Sequence, residues 1–280
     1  MNGVRAWLCV LLLCAASPSQ AARVIALSPH LAELVCAAGA CDQLVGVVKH
    51  SDYPSEVKTR AQVGDAFAVN AEAVLALRPD LILSWDGGTP AQSVAQLRRL
   101  GLRVEAIRVR SLDDVGMALL RIGALLGTED AACAAEHEFR ERIGTLRARY
   151  ANAAPISVMY QIEPEPVYTV NRHSPISQAM SLCGAQNIFA DYTQLAGPVG
   201  RESVIVANPG AIVFGEQDDV EGIRRGWLRF PRMRALRARN LIAVNADLLA
   251  RATPRMAQGA EQLCEALDRA RTRIKALPEQ

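Results

Sequence analysis

Short apolar runs separated by helical patterns dominate the chain. They are Val24 to Leu27, Val45 to Val48, Leu81 to Trp85 and Val104 to Val109 in the first half, then Ile156 to Gln161, Ala211 to Phe214 and Leu241 to Val244 in the second. Continuous apolar runs alternating with amphipathic helices predict parallel strands covered on their faces, an α/β fold. Between the halves, Phe139, Ile143, Leu146 and Tyr150 recur at steps of 4, 3 and 4 residues, while Glu136, Glu138, Arg140, Glu141, Arg142 and Arg147 take the other positions. That spacing predicts one amphipathic helix over 130–150, about 30 Å long at helical rise. No Gly-, Pro- or Ser-rich linker interrupts it. The chain therefore divides into an N-terminal lobe over 22–129, a rigid backbone helix over 130–150 and a C-terminal lobe over 151–280.

The lobes echo each other. Glu72 begins a helical stretch that stops at Pro79 ahead of Leu81-Ile82-Leu83, and Glu202 begins one that stops at Pro209 ahead of Ala211-Ile212-Val213. Ser28-Pro29 opens a helix running to Cys36 and Gly39, and Ser174-Pro175 opens one running to Cys183 and Gly184. Ser suits the N-cap and Pro the first helical position. Both elements recur in the same order, which marks two related lobes.

Ahead of the first strand lie Arg5, an apolar run from Ala6 to Ala16, Pro18 and Ser19-Gln20-Ala21, the regions of a cleaved signal peptide covering 1–21. The run is too short to span a bilayer, so the expected product is an exported, soluble, periplasmic protein. Removing Arg5 from 31 basic residues leaves 30 against 29 acidic ones, a net charge of +1. Such balance supplies no global field for nucleic acid or an anionic membrane. Seven arginines from Arg224 to Arg239, with Trp227 and Phe230 among them, read as a solvated face for the same reason.

Five cysteines follow the leader: Cys36, Cys41, Cys133, Cys183 and Cys264. Oxidation in an exported chain and zinc binding are the competing readings, the latter through Cys133 and His137 or Cys36, Cys41 and His50. No tight two-cysteine knuckle is present, which favours oxidation. An odd count leaves one thiol unpaired.

Candidate binding residues collect at strand ends. Trp85 closes a strand and precedes Asp86-Gly87-Gly88, at the carboxyl edge where open α/β sheets bind ligands. His50 stands before a turn, placed to donate a hydrogen bond or to act as an axial metal ligand, with Tyr53 its rival. Asp247 and Arg251, four apart, are spaced to pair on a helical turn. No nucleophile elbow or phosphate-cradling glycine loop occurs, and Ser28, better read as a helix cap, makes a weak triad with His50 and Asp52. The expectation is a binding protein and no enzyme.

Arg23-Val-Ile-Ala-Leu-Ser-Pro, Val47 through Ser51-Asp52-Tyr53-Pro54, Asn70-Ala-Glu72 through Leu77-Arg78-Pro79-Asp80-Leu-Ile, Trp85-Asp-Gly-Gly88, Cys183-Gly, Asn187-Ile-Phe, Arg201-Glu202 and Thr253-Pro254-Arg255 resemble the periplasmic vitamin B12-binding proteins of the BtuF type. The resemblance covers the mature chain. It implies two lobes, each a mostly parallel sheet with flanking helices, joined by a backbone helix, the class III periplasmic binding protein architecture. It also implies a monomer that holds a cobalamin-type corrinoid between its lobes and delivers it to the permease and ATPase of an ABC importer at the inner membrane.

By the same resemblance Ser28, Pro29, Trp85 and Tyr168 line the cleft, and Asp247 and Arg251 make polar contacts to the lower part of the ligand. The family's three other aromatic walls align with His50, Ala66 and Ala196, and Phe67 is placed to replace one of them. That departure keeps haem or a ferric siderophore as the alternative cargo, and haem-binding relatives carry a tyrosine near Tyr53. The resemblance further implies a Cys183–Cys264 disulfide. It gives Glu72 and Glu202 the role of docking the importer. Cys36 and Cys41 form a second candidate pair across Gly39, which leaves Cys133 free.

Overall fold

A computed structural model describes residues 21–278. Residues 1–20 of the expected leader over 1–21 lie outside the described residues.

The N-terminal lobe is built on five parallel strands, β1 (Val24–Ala26), β2 (Leu44–Val47), β3 (Ala61–Gln62), β4 (Leu81–Trp85) and β5 (Val104–Ile107), in the order β3-β2-β1-β4-β5. Its helices are α1 (Pro29–Ala37), α2 (Ala71–Ala76) and α3 (Ala91–Arg99). Val24, Ile25, Ala26, Ile82 and Leu83 are fully buried, as expected of strands covered on both faces.

Two helices follow, α4 (Leu112–Leu126) and α5 (Glu129–Tyr150). The C-terminal lobe then holds β6 (Ile156–Gln161), β7 (Tyr168–Val170), β8 (Ala185–Asn187), β9 (Ala196–Pro198), β10 (Ala211–Gly215) and β11 (Leu241–Val244). Four of these form a parallel sheet in the order β11-β10-β6-β8, and β7 and β9 pair as an antiparallel ribbon. Its helices are α6 (Pro175–Leu182), α7 (Arg201–Ala207), α8 (Val220–Leu228), α9 (Arg234–Arg237), α10 (Ala246–Leu249) and α11 (Met256–Lys275). No helix among the described residues is long and apolar enough to cross a membrane.

In α5, Phe139, Ile143, Leu146 and Tyr150 are all buried, so the stripe read from their spacing faces the core. The expected helix over 130–150 is α5, and α4 precedes it and packs against it. Helix α4 starts with a reciprocal capping box between Ser111 and Asp114 and stops at left-handed Gly127. It packs so closely on α5 that a side chain at Gly123 would meet the Ala132 methyl at 2.4 Å. One apolar core runs unbroken from Val24 and Leu31 through Leu119 and Ile143 to Met180 and Leu263, and so spans both lobes.

Cys183 and Cys264 are joined, tying α6 to α11, and so are Cys36 and Cys41, where Gly39 turns the chain with a φ of +82°. Both thiols of the upstream zinc reading are thereby consumed, while His137 faces Glu141 and Cys133 is free and exposed. One other expectation needs correction. Trp227 belongs to no solvated face: it is fully buried, its indole N–H donates to Gln161 Oε1 at 2.6 Å, and the Arg201 guanidinium lies 4.9 Å over its ring.

Candidate ligand-binding cleft

The carboxyl ends of β1, β2 and β4 bring Ser28, Pro29, His30, the segment from His50 to Tyr53, and Trp85 to one edge of the N-terminal lobe. From the other lobe, the chain leaving β11 brings Asp247, on α10, and Arg251. These edges meet. Arg251 Nη1 lies 2.5 Å from Asp52 Oδ1 across the lobes, and its Nη2 lies 2.9 Å from Asp247 Oδ1, the pairing that the four-residue spacing predicts. The hydrogen bond from Arg251 is the chief reason that the Asp52 carboxyl titrates below the usual carboxylate range.

Beside this bridge lies a second, more buried one. Glu33 on α1 is only 2% exposed, yet it is fully occupied. Arg255 donates to its two oxygens from Nε and Nη2 at 2.7 Å each, and Thr253 Oγ1 donates at 2.6 Å. The Glu33 bonds are the main cause that raises the Arg255 pKa above its ordinary value. The same guanidinium lies 3.6 Å over the Tyr53 ring, a close cation–π contact. A third tie is Gln178 on α6, which accepts from Leu112 N at 2.9 Å. The two lobes are thus tied to each other by directed contacts, in keeping with the continuous core that they share.

Trp85 is half-buried, with its ring edge-on to His30 at 5.0 Å between centroids. A Cβ at Gly88 would overlap the indole, at 1.8 Å from Cε3, so the Gly87-Gly88 turn is what leaves room for this rotamer. Tyr168 is half-buried at the start of the β7–β9 ribbon, whose other strand carries exposed Ala196 opposite Val170. Phe67 is 73% exposed on a loop held by Asp65, which accepts from Phe67 N and Ala68 N. His50 is exposed with a φ of +67°, and Tyr53 is 44% exposed.

Ser28 occupies the N-cap of α1, but its hydroxyl caps nothing; it sits 3.1 Å from His30 Nδ1. The Ser28 hydroxyl is thus engaged with His30 and Asp52 with Arg251, so two members of the weak triad are committed elsewhere. Glu72 and Glu202 are exposed second residues of α2 and α7. Neither is the cap: Asn70 accepts from Glu72 N and Ala73 N, and Gly200 is the N-cap of α7.

Three residues of this edge escaped the sequence reading: His30, Glu33 and Arg255. Glu33 sits among apolar residues of a helix that faces the core, where a carboxylate without a local partner signals a distant cation.

Residues 24–248 match the family described as periplasmic binding protein. The chain belongs to that family. This periplasmic binding protein is 38% identical over 250 residues to the Vitamin B12-binding protein of Yersinia pestis (strain Pestoides F), covering 89% of its own chain and 87% of the relative. Among solved structures it is similar to the periplasmic Vitamin B12 binding protein BtuF of Vibrio cholerae, with a TM-score of 0.83 and 34% identity over 90% of this chain and 98% of that one. A periplasmic heme binding protein from Pseudomonas aeruginosa shares the fold at lower similarity, with a TM-score of 0.75 and 25% identity over 88% and 92% of the chains. The two-sheet α/β architecture joined by helices is that of the class III binding proteins, a family that captures molecules and performs no catalysis.

Proposed function

We propose that this periplasmic binding protein captures a cobalamin-type corrinoid between its lobes and hands it to an ABC importer. The observation that carries the reading is the cleft itself. The reading is supported by half-buried Trp85 at the carboxyl end of β4, half-buried Tyr168 at the start of β7 and the Asp247–Arg251 pair that reaches Asp52, in a chain 38% identical over most of its length to a protein named for vitamin B12. A corrin is a broad apolar disc with amide arms, and aromatic faces with a few fixed polar groups suit it. Purified protein should bind cyanocobalamin in calorimetry and should carry a corrinoid visible spectrum when isolated from its native periplasm.

Haem is the second reading. It rests on Tyr53 and His50, both exposed at the cleft edge and both competent as axial ligands. The Arg255 guanidinium over the Tyr53 ring gives that tyrosine a packing role whether or not it binds metal. Haemin binding with an imidazole or tyrosinate signature, in the absence of corrinoid binding, would establish it.

Export follows from the leader over 1–21. Docking is assigned to Glu72 and Glu202, one per lobe at matching points of related elements, facing the permease of the importer. Because Asn70 takes the capping role at α2, the exposed carboxylate of Glu72 is free for a partner.

A further inference from the structure

His30 has no counterpart in the set of cleft residues read from the sequence, yet its ring packs edge-on against Trp85 at 5.0 Å between centroids. Being the second residue of α1 puts it at the carboxyl end of β1. The Ser28 hydroxyl holds its Nδ1 at 3.1 Å, and the Trp85 ring stands at 85° to it. Burial, and secondarily the charge of Arg251 from the opposite lobe, push its pKa down to about 4, so the imidazole is neutral in ordinary periplasmic conditions. A neutral imidazole donates from one nitrogen and accepts at the other. Ser28 occupies Nδ1 and approaches Nε2 no closer than 3.5 Å, and Ser28 is its hydrogen-bond partner among the described residues. In either tautomer, one ring nitrogen is therefore left for a partner that the protein does not supply.

Resting on the corrinoid reading of the cleft, we propose that His30 is a ligand-contacting residue whose second ring nitrogen hydrogen-bonds a carboxamide arm of the bound corrinoid. Carboxamide arms radiate from the rim of a corrin, so a neutral polar ring packed against Trp85 is matched to such an arm if the disc stacks on the indole. A carboxamide offers both a donor and an acceptor, so it matches whichever hydrogen-bonding role Ser28 leaves to Nε2. Arg251 reinforces the choice, because its nearby charge disfavours an imidazolium there and leaves a neutral partner as the better fit.

The test is calorimetry with cyanocobalamin and with haemin on the parent protein and on His30→Ala, His30→Gln, His30→Phe and Trp85→Ala, with near-ultraviolet circular dichroism to verify folding. His30→Ala and His30→Phe should each weaken cyanocobalamin binding about tenfold, the effect of one hydrogen bond to a buried group, whereas His30→Gln should stay within about threefold of the parent. If His30→Phe binds as the parent does, the ring serves only to pack against Trp85 and the inference fails while the corrinoid reading stands. An unchanged His30→Ala, with Trp85→Ala weakened, has the same meaning. A parent that binds haemin and not cyanocobalamin removes the corrinoid reading and this inference with it, since haem carries no carboxamide arm.

Discussion

At Trp85 and Tyr168 the chemistry of single side chains carries the binding account. Each presents an aromatic face that is partly desolvated in the free protein, and truncation to alanine should cost about 1 to 3 kcal/mol of cyanocobalamin affinity in calorimetry, the range of a well-buried anchor. A loss below a few tenths of a kcal/mol at both positions would place the ligand elsewhere. His30 makes a separate prediction about acid. Its folded pKa, about 4, lies below the ordinary histidine value of about 6.5, so between these limits the unfolded chain binds the proton and the folded chain does not. Stability should thus be unaffected by this group above pH ~6.5 and should fall as the pH drops toward 4. Urea titrations at several pH values would show this, and His30→Ala should remove that part of the slope. Asp52 adds loss of the same sign at lower pH, because its depressed carboxyl pKa stabilises the fold only while it stays ionised.

Among elements, the ties between the lobes matter most. Helix α1 sends buried Glu33 to Arg255, just ahead of α11. Removing one partner of a buried pair strands the other, so Glu33→Ala should lower the unfolding free energy by about 3 kcal/mol or more, read from the urea midpoint. Parent-like stability would mean that water replaces the carboxylate without cost. The Cys183–Cys264 bridge spans 81 positions, and its loss should remove about 4 to 5 kcal/mol in the chain-entropy model, measurable with the double alanine variant.

The strands from Val24 and Leu81, and those from Ile156 and Ala211, were legible because buried parallel strands form continuous apolar runs. Strand β3 has only two residues and the β7–β9 ribbon lacks such runs, so neither announces itself. Helix α4 had a capping signal at Ser111 and Asp114, which a reading centred on strands passed over. In the cleft, the Asp247–Arg251 pair followed from local spacing. The Asp52–Arg251 and Glu33–Arg255 pairs join residues 199 and 222 positions apart, beyond what helical or strand periodicity encodes. Ser28 illustrates another limit: its position is the N-cap, but its hydroxyl turned to a neighbouring ring that spacing alone does not place.

At the scale of the whole molecule, a core shared by both lobes and directed contacts between them hold the two lobes together. Related lobes also present Glu72 and Glu202 as a pair at equivalent helix starts. Replacing both with alanine should abolish stimulation of the importer's ATPase while cyanocobalamin affinity stays near the parent value; a parallel loss of both would reassign the glutamates to the cleft or to stability. Charge pairs desolvated at an interface cost about 2 to 5 kcal/mol when one partner is truncated, well above the effect of an exposed carboxylate at a helix start. The most direct test of the central claim is calorimetry of the purified protein with cyanocobalamin and haemin side by side. The account predicts saturable, one-to-one binding of cyanocobalamin that Trp85→Ala weakens. Haemin binding with no heat from cyanocobalamin would contradict it.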